Sequence, residues 1–267
     1  MGESKIMSNT NYTIAERYTL PSHGLIYDKE VNCDIKIRSM IVRDEMKRLA
    51  PITDGTIYRN MAEIIDDCLV DKPGISSYDM CIGDYQFLMH KLRIVTYGPE
   101  YKIECKCPVC GDWDDHLVNL EDLKLNELKE FDKEKELTLT LPVSKKVIEL
   151  NITTPRMLDN IEKEVSRVSK QYKKDNKVMS EIDWHLLYQL VYSIKTVDGQ
   201  KLSVADKETF CGKLVGRDYN AIIGKLDKLE EKVGLGATLE VHCNNCGYDM
   251  TTTFRITSEF FRPTTDY

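Results

Sequence analysis

The sequence has no long apolar segment and none of the motifs that mark common enzyme families. No run approaches the ~20 apolar residues of a membrane-spanning helix, and residues 1–13 lack the apolar stretch of a secretory signal peptide. Phosphate-binding glycine loops, nucleophile elbows and the H-E-x-x-H metal motif are also absent. We therefore expect no membrane contact, no secretion and no enzymatic activity.

A basic composition is lacking as well. Acidic residues outnumber Lys and Arg by 44 to 37, which gives a net charge of −7. This balance disfavours non-specific nucleic-acid binding by the protein as a whole. The apolar content of 42% and the length of 267 residues are typical of a globular protein with one large or two small domains.

Cysteine, in contrast, is plentiful, and its spacing is the most informative feature of the chain. Four of the nine cysteines form two C-x-x-C-G motifs, Cys107–Cys110 and Cys243–Cys246. A tight turn of this form aims two sulfurs at one metal ion, and the glycine relieves strain where the backbone turns back. The pair of motifs predicts one structural Zn²⁺ held by four thiolates, since a closed site leaves no position for substrate. Reduced structural cysteines or a disulfide pair are the alternatives.

Other residues near the two motifs are weaker candidates for the metal. Cys105 could compete as a ligand, and His116 and His242 lie close in sequence. The neighbouring pair Asp114-Asp115 is expected to be solvated, because adjacent side chains on a strand point apart. The remaining thiols are expected to be small buried residues: Cys33, Cys68, Cys81 and Cys211.

The two halves of the chain share an order of features that predicts an internal duplication. Each half opens with strand-like segments around a turn, at residues 33–38 in the first and residues 137–152 in the second. Predicted helices follow, at residues 43–49, 57–69, 155–173 and 182–194. Each half then has an Asp-Tyr helix start, with the Asp placed to cap free amides, before its C-x-x-C-G motif: Asp84-Tyr85 and Asp218-Tyr219.

The predicted architecture is α+β, with two pseudo-repeats joined at a shared four-cysteine zinc ribbon. Each repeat is a β-hairpin followed by helices and a knuckle strand. The predicted segments are an N-terminal arm, a first repeat, a charged linker, a second repeat and an aromatic tail, at residues 1–17, 18–120, 121–136, 137–256 and 257–267.

The C-terminal tail concentrates three aromatic residues: Phe260, Phe261 and Tyr267. They either fold back onto the core of this chain or dock onto another subunit. The N-terminal arm could likewise become ordered on binding a partner.

Several segments of the first half form a recognisable set: Y-T-L-P-S-H-G-L-I-Y from Tyr18, I-K-I-R from Ile35, R-D-E from Arg43, and L-R-I-V-T-Y-G from Leu92 ahead of C-P-V-C-G. Together they resemble the T4-type baseplate hub and hub-assembly family of contractile-tailed bacteriophages. The resemblance covers about the first 120 residues. It implies a structural or assembly role in the virion tail baseplate, assembled in the host cytoplasm. The implied partners are other baseplate or tail proteins, with no membrane, nucleic acid or small-molecule substrate.

A zinc-ribbon nucleic-acid-binding or transcription regulator of a phage is the alternative function. It predicts a basic ribbon with aromatic or Arg side chains near the motifs. The acidic residues after the first motif, in Asp112-Trp-Asp-Asp115, would instead repel phosphate.

Overall fold

The computed structural model describes residues 13–52, 56–174, 183–236, 238–253 and 258–261. Most of the predicted N-terminal arm and the end of the tail, with Tyr267, lie outside the described residues. Helices and strands are mixed along the described chain, which confirms the α+β class. None of the described helices is both long enough and apolar enough to cross a bilayer.

The first half begins with two antiparallel strands and continues into three helices and a long hairpin. Its elements are β1 (Ala15–Thr19), β2 (Asp34–Arg38), α1 (Val42–Leu49), α2 (Ile57–Cys68), α3 (Ile82–Tyr97), β3 (Glu100–Lys106), β4 (Trp113–Asn119) and β5 (Leu125–Asn126). The alternation of apolar residues in β2 buries Ile35 and Ile37, as expected for a strand with one inward face.

The second half also begins with strands, continues into helices and ends in a hairpin. Its elements are α4 (Lys133–Leu137), β6 (Thr138–Thr140), β7 (Val147–Leu150), α5 (Pro155–Lys174), α6 (Trp184–Ser193), β8 (Ile194–Val197), α7 (Val204–Cys211), α8 (Gly216–Glu230), β9 (Gly234–Leu235), β10 (Thr238–His242) and β11 (Asp249–Thr253). Strands β6, β7 and β8 form a three-stranded antiparallel sheet, and β9 pairs with β5 of the first half.

Two large apolar cores lie side by side, one in each half. Buried Asp159 of α5 connects them, because its carboxylate accepts the amide hydrogens of Tyr58 (3.2 Å) and Arg59 (2.9 Å) at the start of α2. The Tyr78 hydroxyl donates to the same carboxylate at 2.9 Å. Helix α2 is thus capped by a side chain from the other half.

The C-terminal tail returns to the core of the first half. Phe260 and Phe261 are fully or almost fully buried there. The carbonyl oxygen of Phe260 accepts a hydrogen bond from Nε of Arg93 at 3.0 Å. The two described aromatics of the tail therefore pack against the chain itself, which is the first of the two alternatives posed by the sequence.

The Asp-Tyr pairs lie in the first turn of helices α3 and α8 as predicted, but among the described residues their carboxylates bond to other segments instead of capping those helices. Asp84 instead accepts hydrogen bonds from the amide (3.0 Å) and hydroxyl (2.5 Å) of Ser22, in the turn after β1. Asp218 accepts the amides of Val143 (2.7 Å) and Ser144 (2.9 Å), in the turn after β6. Both carboxylates thereby fix a helix to the hairpin turn of their own half.

Candidate metal centre

The two C-x-x-C-G motifs form the turns of two separate hairpins. The first lies between β3 and β4, whose register pairs Lys106 with Trp113, and the second lies between β10 and β11. Each hairpin is a two-stranded sheet of its own. The four cysteines therefore come from the tips of two hairpins that meet.

Both turns are closed by the same two backbone hydrogen bonds. The amide of the glycine donates to the first cysteine, Gly111 to Cys107 and Gly247 to Cys243, each at 3.0 Å. The amide of that first cysteine donates to the carbonyl of the residue directly after the glycine, Cys107 to Asp112 at 2.8 Å and Cys243 to Tyr248 at 3.0 Å. The glycines have φ of +80° and +73°, in the left-handed region that other residues adopt at a cost.

The four sulfur atoms form one cluster, with all of them within 4.8 Å of one another. Sγ of Cys107 lies 3.6 Å from Sγ of Cys246, and Sγ of Cys110 lies 3.6 Å from Sγ of Cys243. These separations exceed the ~2.05 Å of a disulfide bond, so the four residues are free thiols. The arrangement is compatible with a metal site.

Hydrogen bonding and crowding change the acidity of these thiols. The amides of Cys110 and Val109 donate to the sulfur of Cys107 and lower its pKa to about 6. The amide of Tyr248 lowers the pKa of Cys246, but desolvation and the neighbouring thiols outweigh it and raise that pKa to about 12. Four thiolates this close repel one another, and a bound cation is the usual means of ionising such a set.

An apolar layer and two polar contacts hold the hairpins against each other. Cys105, Val241 and Met250 are buried beside the first cysteine of each turn. The amide of Asn244 donates to the carboxylate of Asp114 at 3.0 Å, and the side-chain amide of Asn245 donates to Asp112. Asp114 is only partly exposed and receives this hydrogen bond from the second turn, whereas its neighbour Asp115 is exposed.

The weaker candidates lie apart from the four-sulfur group. Cys105 is buried in the apolar layer. His242 is exposed, and its Nδ1 lies 2.7 Å from the carboxylate of Asp249. His116 is buried on the inner face of β4. No sequence pattern indicates that Asp112 and Asp114 connect the two turns, since their partners are more than a hundred residues away.

The chain matches the model of a known protein family over residues 13–262, described as T4 bacteriophage base plate protein. The chain belongs to this family. The match spans both hairpins and both halves, well beyond the segment in which the sequence patterns alone showed the resemblance. Comparisons with curated proteins and with solved structures found no match.

Membership of the baseplate family gives the four-cysteine cluster its context. A baseplate protein has a structural role in the phage tail, with other tail or baseplate proteins as its partners. The cluster lies where the ends of the two halves meet, so its chemistry concerns how this protein is held together.

Proposed function

We propose that this protein is a structural or assembly component of the hub region of a contractile phage baseplate, and that it is stabilised by one structural zinc ion. The observation that carries the proposal is the meeting of four thiols from two hairpins within a baseplate-family chain. It acts through protein–protein contacts, without enzymatic activity, and is assembled in the host cytoplasm.

The sulfur separations fit zinc. Four thiolates about 2.3 Å from a tetrahedral ion lie about 3.8 Å apart, close to the 3.6 Å of the two shortest pairs. Cys107, Cys110, Cys243 and Cys246 would together fill the coordination sphere. An ion so enclosed stabilises folding and has no open position for catalysis.

We also propose that the predicted segments describe a duplicated chain, with repeats at residues 18–120 and 137–256 connected by the linker 121–136. In each half, the chain that leaves a helix pairs with the second strand of the opening hairpin: the residue after α2 pairs with β2, and β8 after α6 pairs with β7. Leu69 bridges to Ile37 in one half, and Ile194 lies opposite Leu150 in the other. Asp84 and Asp218, described above, supply a matching helix-to-turn contact.

An experimental structure tests the duplication. The α3 helix and its hairpin should superpose on α8 and its hairpin when the opening strands are aligned. Different angles between helix and strands in the two halves would contradict a common repeat.

The charge of the ribbon disfavours the alternative role as a nucleic-acid-binding regulator. Residues 100–119 and 238–253 contain seven Asp or Glu residues, and their only Lys or Arg residues are Lys102 and Lys106. Lys102 is itself paired with Asp115 at 2.7 Å. Such a surface repels phosphate, whereas nucleic-acid-binding ribbons are basic.

Native mass spectrometry of the tagged chain, alone and after recovery from infected cells, tests the proposed function. We expect one zinc per chain together with identified phage tail proteins. A matched pair of variants, Cys107→Ser and Cys33→Ser, should lose and keep the zinc respectively, because Cys33 lies outside the cluster. Zinc with nucleic acid and no tail proteins would favour the regulator, and metal-free native protein would exclude the structural zinc.

A further inference from the structure

Helix α1 is amphipathic, but its apolar side faces outward. Val42, Met46 and Leu49 recur at the i, i+4, i+7 spacing of one helical stripe, and they are 76%, 68% and 69% exposed. An amphipathic helix on the surface of a globular protein ordinarily buries such a stripe. Single exposed apolar residues are common, but a contiguous stripe marks an interaction surface.

The inward side of α1 is polar and firmly bonded. Asp44 is buried and accepts hydrogen bonds from Arg38 at 2.7 Å and from the amide of Ile41 at 2.9 Å. Burial opposes ionisation of Asp44, but these bonds outweigh it and hold its pKa below the ordinary value. Glu45, next along the helix, accepts from the Tyr97 hydroxyl and from Arg48.

These contacts fix the rotation of the helix. Rotating α1 to bury its apolar stripe would separate the buried Asp44 carboxylate from the Arg38 guanidinium. An unpaired buried charge is strongly destabilising. The outward stripe is therefore maintained by the fold at the expense of apolar burial, which is the arrangement of a surface kept for a partner.

The apolar surface continues beyond the end of α1. Ile52 and Ile57 are 40% and 62% exposed, and both line a groove of about 610 Å³ between the two halves. Three methionines line its interior: Met61, Met89 and Met157. Unbranched, polarisable Met side chains adapt readily to an inserted apolar side chain.

The charge beside the stripe indicates what covers it. Arg43 is exposed and has no ion-pair partner among the described residues, although the chain as a whole is acidic. A second copy of α1 would offer Arg43 no free carboxylate, because Asp44 is buried against Arg38 and Glu45 is bonded to Arg48. Unpaired Arg43 therefore favours a partner that supplies its own carboxylates over a second copy of this helix.

We propose that α1 docks an amphipathic helix of a different baseplate subunit, one whose apolar stripe is flanked by Asp or Glu. The inference rests on the proposed baseplate function. The partner helix lies along Val42, Met46 and Leu49, sends apolar side chains toward the groove, and pairs a carboxylate with Arg43.

Two variants of the full-length zinc-loaded chain test this surface in infected cells. The double variant Met46→Glu/Leu49→Glu should reduce the fraction of chain that co-sediments with tail assemblies by at least about tenfold, as for loss of central apolar anchors. The control Val204→Glu, at an exposed apolar position of α7, should co-sediment like the wild type. If the double variant fails to fold, Arg43→Glu keeps the stripe and should still reduce co-sedimentation.

A photo-crosslinking residue in place of Met46 identifies the occupant. The expected product joins α1 to a phage tail protein at a helical segment with apolar residues three or four apart and flanking carboxylates. Crosslinks only to a second copy, or a folded Met46→Glu/Leu49→Glu variant that co-sediments normally, would overturn the docking proposal while leaving the baseplate function intact. A wild-type chain that never co-sediments with tail assemblies would overturn both.

Discussion

Replacing Cys246 with serine separates the contribution of the proposed zinc ion from that of packing. Cys246 is exposed, whereas its cluster partner Cys107 is buried, so serine at 246 leaves no cavity in the apolar layer. Its sulfur lies 3.6 Å from that of Cys107. Loss of stability in Cys246→Ser therefore reports the loss of a ligand.

The size of the effect follows from a site that only the folded chain offers. Cys110 and Cys243 are 133 residues apart in the chain, so unfolding separates the two halves of the site. A proposed zinc ion that binds only the folded chain would stabilise it by about 4 kcal/mol when free zinc is at about a thousand times Kd. Because domains are stable by only about 5–15 kcal/mol in total, losing this contribution should be plainly measurable.

Urea unfolding with and without a zinc chelator measures the effect. For the wild type with zinc at about a thousand times Kd, the chelator should lower the free energy of unfolding by about 4 kcal/mol. Cys246→Ser should start near the chelated value and respond little to the chelator. Cys33→Ser, outside the cluster, should behave like the wild type.

One result would refute the structural-zinc argument. If Cys246→Ser and the chelated wild type both unfold at the urea concentration of the untreated protein, no metal constraint contributes to stability. A loss in Cys246→Ser without any chelator effect would instead point to the thiol itself.

Three further substitutions test the packing, a helix glycine and a buried titratable group. A Cβ at Gly83 would lie 2.3 Å from the carbonyl oxygen of Val233, so Gly83→Ala should cost about 1–3 kcal/mol in urea unfolding. Gly224→Ala, in an open part of helix α8, should stabilise by about 0.5–1 kcal/mol. Burial lowers the pKa of His90 from 6.5 to about 4, so the unfolded chain takes up a proton first as the pH falls. Stability should therefore drop by about 3 kcal/mol between pH 6.5 and 4, and unfolding of His90→Gln across this range should show a correspondingly shallower pH dependence.

The sequence predicted the two cysteine turns because the geometry of each turn is local. Two residues between the thiols and a following glycine determine each turn, and Gly111 and Gly247 have the backbone conformation that the motif requires. The helices were also predicted closely, since the segment 57–69 corresponds to α2 at Ile57–Cys68. Local patterns of this kind can be recognised in the sequence without knowing which distant residues they contact.

Contacts between distant segments could not be predicted from the sequence. The Asp84 carboxylate binds a residue 62 positions earlier in the chain, and Asp218 binds one 75 positions earlier. Capping of the local helix was the only role visible for these residues in sequence. The outward orientation of the α1 stripe could not be predicted for a similar reason, because periodicity marks an apolar face without showing whether it points toward the core or toward solvent.

The position of α1 depends on residues at the far end of the chain. Phe261 lies under Arg48 of α1, with 6.0 Å from the guanidinium carbon to the ring centre. Arg48 in turn bonds Glu45, and Arg93 holds the carbonyl of Phe260 beneath the same helix bundle. The surroundings of α1 therefore include residues that follow the second hairpin in the chain, and the same residues complete the core of the first half. No pattern local to α1 could indicate these neighbours, because periodicity in a segment does not show which distant residues contact it.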